Sequence, residues 1–113
     1  MSNWQPYEDG QTIGKKGPEG GVIVLDDEHV YGARITLEQG CLRAPYGITC
    51  GVYGWLVHTR FVADDESAQH AVEEMRKALT EIVALLPAEE ADDDATDYDE
   101  ISAATAAFGE RFA

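Results

Sequence analysis

The most restrictive feature of the sequence is a stripe of apolar residues at helical spacing in its second half. Its members are separated by four, three, four, three and four positions: Ala68, Val72, Met75, Leu79, Ile82 and Leu86. This spacing places all of them on one face of an α-helix. Asp64 or Asp65 can cap the start of that helix, and Pro87 follows its last apolar residue. We therefore predict a helix over Asp65–Leu86 whose apolar face packs on the rest of the domain.

The first 62 residues have a different pattern, with short apolar runs separated by Gly, Pro, Asp and Asn. In Val30–Leu37 apolar and polar side chains alternate, which is typical of a strand with one buried face. The sequence predicts that this strand forms a hairpin with Val22–Leu25, joined by an acidic turn at residues 26–28.

The stretch Gly47–Val62 is apolar at both odd and even positions. Such a stretch is typical of a central strand that is covered on both faces. Its length predicts a bulge or bend near Gly51 or Gly54. In the alternative, another chain covers the aromatic side chains that the strand leaves exposed: Tyr53, Trp55 and Phe61.

A run of eight acidic residues without a basic one lies between Glu89 and Glu100. Such a run repels itself and buries little apolar area, so it predicts a solvated linker. After it, apolar residues at spacings of three and four predict a short helix: Ile101, Ala104, Phe108 and Phe112. The predicted organisation is a core domain at residues 1–87, an acidic linker at 88–100 and a short C-terminal helix at 101–113.

Together these patterns predict an α+β fold, in which an antiparallel sheet of three to five strands from residues 12 to 62 packs on one long amphipathic helix. One helix covers only one face of a sheet. The second face then requires the short C-terminal helix or a second subunit, and for this reason we predict a homodimer.

Charge restricts the partners that the chain can have. The sequence contains 22 Asp and Glu against 8 Lys and Arg, so its net charge is -14. This charge repels nucleic acids and anionic lipids and attracts basic proteins. We find neither a secretory leader nor an apolar run of membrane-spanning length. Because two cysteines are too few for a disulfide framework, we expect a cytoplasmic protein with reduced thiols.

No residue spacing in the sequence points to catalysis. Cys41 and Cys50 are too far apart for a close pair of zinc ligands, and the histidines are scattered singly, so we predict no metal and no cofactor. Cys50 and His58 on one straight strand would lie roughly 26 Å apart. They can act together only if the chain turns between them. A ligand pocket near Cys50, Tyr53 and His58 is therefore an alternative rather than the first expectation.

Aromatic residues are the best functional signal, because Tyr and Trp are enriched where protein partners bind. The predicted binding residues all lie in or beside the sheet region: Trp4, Tyr31, Tyr53, Trp55 and Phe61. Core packing is the competing explanation for them. The function expected from the sequence is a small, acidic, non-catalytic binding protein of the immunity, inhibitor or adaptor type. The alternative is a small enzyme or ligand-binding domain.

Overall fold

The computed structural model describes residues 3–86 and 98–113. The predicted α+β class is confirmed, because one antiparallel sheet packs against one long and one shorter helix. The strands lie side by side in chain order: β1 (Trp4–Pro6), β2 (Val22–His29), β3 (Ala33–Gln39), β4 (Tyr46–Val52) and β5 (Leu56–Val62). The helices are α1 (Asp65–Val83) and α2 (Tyr98–Arg111).

Helix α1 begins where the sequence predicts and ends at Val83, three residues before the predicted end. The Asp64 side chain caps it by accepting the backbone N–H of Ser67 at 2.7 Å. The apolar stripe of α1 packs on the face of the sheet that carries Ile35 and Ile48, and both of these side chains are fully buried. Each large apolar side chain in this core stabilises the fold by about 1.5–3 kcal/mol.

The prediction of one long strand over Gly47–Val62 is wrong, because the chain turns back in the middle of it. Trp55 donates its backbone N–H to the Val52 carbonyl at 2.8 Å, and Gly54 has a φ of 83° within the turn. Residues on either side pair in register, so Cys50 lies directly opposite His58. The turn is hard to recognise in sequence because two of its residues are aromatic. Gly54 is its one local signal.

The predicted acidic turn at residues 26–28 is also wrong. These three acids lie inside β2, and the chain turns at residues 30–32, where Gly32 has a φ of 114°. A strand tolerates Asp26 in its interior because the carboxylate is fully hydrogen-bonded. It accepts bonds from Thr12, Thr36 and Arg34, at 2.7 to 3.0 Å.

Part of the second face of the sheet is covered by the N-terminal segment of residues 7–21, whereas α2, the cover expected within the chain, lies on the other face. Tyr7 stacks on Arg34 of β3, with the guanidinium carbon 3.6 Å from the ring centre. The fully buried Glu38 carboxylate accepts the backbone N–H groups of Glu19 and Gly21 at 3.0 to 3.2 Å. Strand β3 is therefore buried on both faces rather than half-buried.

Helix α2 packs on the same sheet face as α1. Its Phe108 and Phe112 belong to the main core and are 3% and 2% exposed. The helix begins at Tyr98, so the last three residues of the predicted 88–100 linker are helical. The other predicted linker residues, 88–97, lie outside the described residues. None of the helices in the described part of the chain is long and apolar enough to cross a membrane.

Candidate binding surface

An open cleft of about 700 Å³ lies on the face of the sheet opposite α1, which we call the outer face. Alternating residues of β3, β4 and β5 point to this face, among them Arg34, Thr49 and Val57. Pro18, from the segment that covers the sheet, lines one side of the cleft. Trp55 lies at the turn end. We call this feature the outer cleft.

The floor of the outer cleft carries two threonines, Thr36 and Thr49, and a third, Thr59, continues the row outside the cleft lining. Thr36 pairs with Thr49, and Thr49 pairs with Thr59 on the far side. The Thr36 hydroxyl is satisfied by Asp26 at 3.0 Å. The Thr49 hydroxyl oxygen is buried, and no group in the described part of the chain forms a hydrogen bond with it. A buried polar atom of this kind in a cleft is a natural contact for a bound ligand.

Arg34 brings a positive charge to the cleft, but that charge is already neutralised. Its Nε and Nη2 donate to the two oxygens of the buried Asp26 at 2.9 and 2.7 Å. The hydrogen bonds to Asp26 raise the pKa of Arg34 above its usual value. Tyr7 covers one side of the guanidinium. The arrangement holds the N-terminal segment on the sheet and leaves the cleft lining mainly apolar.

Exposed aromatic rings gather where the two hairpin turns meet. The turn at residues 30–32 and the turn at residues 53–55 are joined by a hydrogen bond from Tyr53 N–H to the Gly32 carbonyl, at 2.9 Å. We call this region the hairpin end. Tyr31 and Tyr53 are 70% and 54% exposed there, and Val57 beside them is 83% exposed. The hairpin end therefore presents apolar surface that residues 3–86 and 98–113 leave uncovered.

Hydrogen bonding orients the two exposed tyrosines differently. Tyr53 donates its hydroxyl to Glu28 Oε2 at 2.6 Å, and burial, followed by this bond, raises its pKa above the usual value. Tyr31 packs its ring beside that of His29, with 5.7 Å between centres. The buried His29 in turn accepts the Tyr31 backbone N–H through Nδ1 at 3.1 Å. Burial lowers the pKa of His29. The ring that supports Tyr31 is thus neutral.

Not all of the predicted binding residues belong to this surface. Trp4 lies at the hairpin end but packs on α1, where its Nε1 donates to the Thr80 hydroxyl at 3.0 Å. Trp55 stacks on Tyr98 of α2, with 5.7 Å between ring centres. Phe61 lies at the opposite end of the sheet, where it pairs across the strands with Gly47. The structure thus brings Tyr31, Tyr53 and Trp55 together and separates Phe61 from them.

Two of the three predicted ligand-pocket residues, Cys50 and Tyr53, line the outer cleft. Cys50 and His58 are cross-strand neighbours whose side chains face the core. Cys50 is 3% exposed, and burial raises the pKa of its thiol to about 12. Such a thiol is a poor nucleophile at neutral pH. His58 donates from Nε2 to the Phe112 carbonyl at 2.7 Å, and its ring lies edge-on to Phe108. Both side chains are used to pack the core, with α2 held through His58.

Within residues 3–86 and 98–113, no group of three or more His, Cys, Asp or Glu side chains is arranged to hold a metal ion. In comparisons with known proteins, no family model matches the chain, and neither a curated protein nor a solved structure matches it at a significant level. A functional proposal therefore rests on the sequence and the geometry of the molecule itself.

Sequence reasoning missed three residues of this surface: Arg34, Thr49 and Val57. Each looks like an ordinary strand residue when read locally. Val57 carries a weak signal, because it follows Trp55 in a stretch that is apolar at both odd and even positions. Arg34 and Thr49 carry none, since only the strand register shows that they share one face.

Proposed function

We propose that the chain is a non-catalytic binding protein that engages a basic protein partner through the hairpin end. The observation that carries this proposal is the pair of exposed tyrosine rings, Tyr31 and Tyr53, on two adjoining turns. Tyrosine contributes large contact area with few rotatable bonds, which is why it dominates many binding surfaces. Cys50 and His58, the pair that the sequence offered as nucleophile and base, are engaged in the core.

Charge supports a basic partner. The chain has a net charge of -14, and long-range attraction of this kind speeds the association of oppositely charged proteins. The same attraction is screened by salt. A binding protein of the immunity, inhibitor or adaptor type can use such charge for fast association and exposed aromatic rings for affinity. We place this chain among them and in the cytoplasm, where its two free cysteines stay reduced.

The test is quantitative capture of partners from cytosol at low and moderate salt. The baits are the tagged wild-type chain and the double variant Tyr31→Ser with Tyr53→Ser. Leu42→Ser is the matched control, because Leu42 is 89% exposed and lies beyond the opposite end of β3. We expect a basic protein that the control retains and that the double variant binds at least about tenfold more weakly. Equal retention by both variants would remove the hairpin end from the interface.

The outer cleft favours a second candidate function, which is the binding of a small, largely apolar ligand with one polar group. The specific observation is the buried Thr49 hydroxyl without a hydrogen-bond partner on the cleft floor. Screening a metabolite collection by thermal shift against wild type and Thr49→Val tests it. That substitution keeps the side-chain shape and removes the hydroxyl. A ligand that raises the melting temperature of wild type but not of Thr49→Val would support this candidate. A screen in which every stabilising ligand acts equally on both proteins, or in which none is found, would count against it.

The homodimer stays a prediction. Residues 7–21 cover part of the second sheet face, and the open outer cleft is the part of that face that a second subunit would cover. Sedimentation of the wild-type chain over a range of concentrations decides between one and two copies.

A further inference from the structure

The two edges of the sheet are not alike. Edge strand β1 has three residues and ends with Pro6, and both features protect a strand from pairing with another chain. Edge strand β5 has seven residues, no proline and no acidic side chain. None of the other described strands pairs with its outer side. A strand of this kind is a template for a further strand.

The register shows which backbone groups face outward. Tyr53 donates its N–H toward β3, to Gly32. Backbone directions alternate along a strand, so the N–H groups of Cys50 and Val52 point the other way, to β5. Their partners on β5 are His58 and Leu56, which must therefore face β4. The alternate residues of β5 direct their backbone N–H and C=O groups away from the sheet: Val57, Thr59 and Phe61.

Side chains at the same three positions point to the outer face, where they could contact an added strand. Val57 is 83% exposed. Arg60, which is the one formally charged side chain of β5, lies on the other face, where its guanidinium carbon is 6.0 Å from the Phe112 ring centre. The side chains of β5 on the outer face are therefore uncharged, with two apolar residues and one threonine, and none opposes pairing by charge.

Exposed acids lie near both ends of β5. Asp64 and Asp65 follow its last residue at one end. At the other end Tyr98 stacks on Trp55, which precedes β5, and the exposed Asp99 follows Tyr98. A basic side chain at each end of an added strand would meet negative charge, whereas a second copy of this acidic chain would be repelled.

We propose that the outer edge of β5 pairs with an extended, basic segment of a protein partner, which adds a sixth strand to the sheet. The proposal rests on the proposed function and specifies how the partner binds. Main-chain hydrogen bonds to Val57, Thr59 and Phe61 supply affinity, and alternate side chains of the segment pack beside Val57. Lysine or arginine at its two ends supplies charge complementarity.

The test uses peptides selected from a random library displayed on phage, with the full-length chain as target. Thr59→Pro removes one outward N–H at an edge position where proline is tolerated. Thr59→Ala is its matched control, because it shortens the side chain and keeps the N–H. We expect the selected peptides to have basic ends and alternating apolar residues. Their affinity for Thr59→Pro should be at least about tenfold lower than for wild type, and their affinity for Thr59→Ala should be within a factor of about three of wild type. Peptides that bind both variants equally, or a library without enriched peptides, overturn the proposal.

A second measurement does not depend on the folding of Thr59→Pro. One selected peptide is synthesised in two versions, one with N-methyl groups on its odd-numbered amides and one with N-methyl groups on its even-numbered amides. These versions are the two phases. Strand pairing requires that one phase weakens binding to wild type by at least about tenfold and that the other does not. Equal effects of the two phases overturn the proposal.

Two results separate this inference from the proposed function. A natural partner that is lost by Tyr31→Ser with Tyr53→Ser but kept by Thr59→Pro supports binding at the hairpin end and overturns strand pairing. A dimer of the wild-type chain that is lost in Thr59→Pro and kept in Thr59→Ala assigns the edge to a second copy, which also overturns it.

Discussion

Two adjacent aspartates of β2 provide a direct comparison of buried and exposed ion pairs. Asp26 and Asp27 point to opposite faces of the sheet, and each binds an arginine with N···O at 2.7 Å. They differ in burial, because the Asp26 side chain is 0% exposed and the Asp27 side chain is 21% exposed. Replacing each with alanine changes the same side chain at neighbouring positions of one strand. The difference between the variants therefore reports the combined effect of burial and of the additional hydrogen bonds that Asp26 accepts.

The expected magnitude follows from what each substitution leaves behind. Asp26→Ala removes the acceptor of four hydrogen bonds and leaves Arg34 without its carboxylate. Removing one partner of a buried ion pair costs about 3–5 kcal/mol, and we take the lower end because the Arg34 side chain is 32% exposed. Asp27→Ala breaks a partly exposed pair with Arg76, which costs about 1 kcal/mol or less. Total stability is on the order of 10 kcal/mol, so Asp26→Ala should still fold.

The assay is urea unfolding of the full-length chain, followed by tryptophan fluorescence. We expect Asp26→Ala to lose about 2 kcal/mol more of the unfolding free energy than Asp27→Ala. Adding Arg34→Met to Asp26→Ala should restore part of the loss, since it removes the uncompensated charge. Equal losses for the two aspartates, or no recovery in the double variant, would refute the reasoning that burial of Asp26 anchors the N-terminal segment.

Three further predictions concern pH, thiol reactivity and the second helix. Burial lowers the pKa of His29, so the folded state disfavours its protonation. The contribution of neutral His29 to stability should be complete above pH 6.5 and should decline below it. Between pH 7.5 and 5.5 the unfolding free energy should therefore fall more steeply in wild type than in His29→Gln. Parallel declines would contradict this. Burial raises the pKa of Cys50 to about 12, so iodoacetamide at pH 8 should modify the less buried Cys41 first and Cys50 only on unfolding, as read by mass spectrometry of digested protein. Equal labelling of the native thiols would count against it. Phe108→Ala should cost about 3–5 kcal/mol in urea unfolding, while Glu110→Ala on the exposed side of the same helix should cost less than about 0.5 kcal/mol. A small loss for Phe108→Ala would show that α2 is not part of the core.

The candidate surface was only partly predictable from sequence. Tyr31, Tyr53 and Trp55 were predicted as binding residues from their chemistry alone, and the structure brings them to one end of the sheet. Phe61 has the same chemistry but lies at the other end. Residue type indicates a capacity for binding, whereas proximity depends on where the chain turns. The sequence predicted a bulge or bend near Gly51 or Gly54 but not the complete reversal at residues 53–55, because the aromatic residues of the turn continue the apolar pattern of the strands.

By itself, the sequence determined the α+β class, the start of α1 and its buried face. These features are local: an apolar stripe at helical spacing and an N-cap act within a few turns of the chain. Only the tertiary structure decided that residues 7–21 cover part of the outer face, that α2 lies beside α1, and that Asp26 and Glu38 are buried inside strands. The physical reason is that a buried carboxylate needs hydrogen-bond donors, and here some of those donors come from segments more than ten residues away in sequence. No local pattern records such long-range compensation.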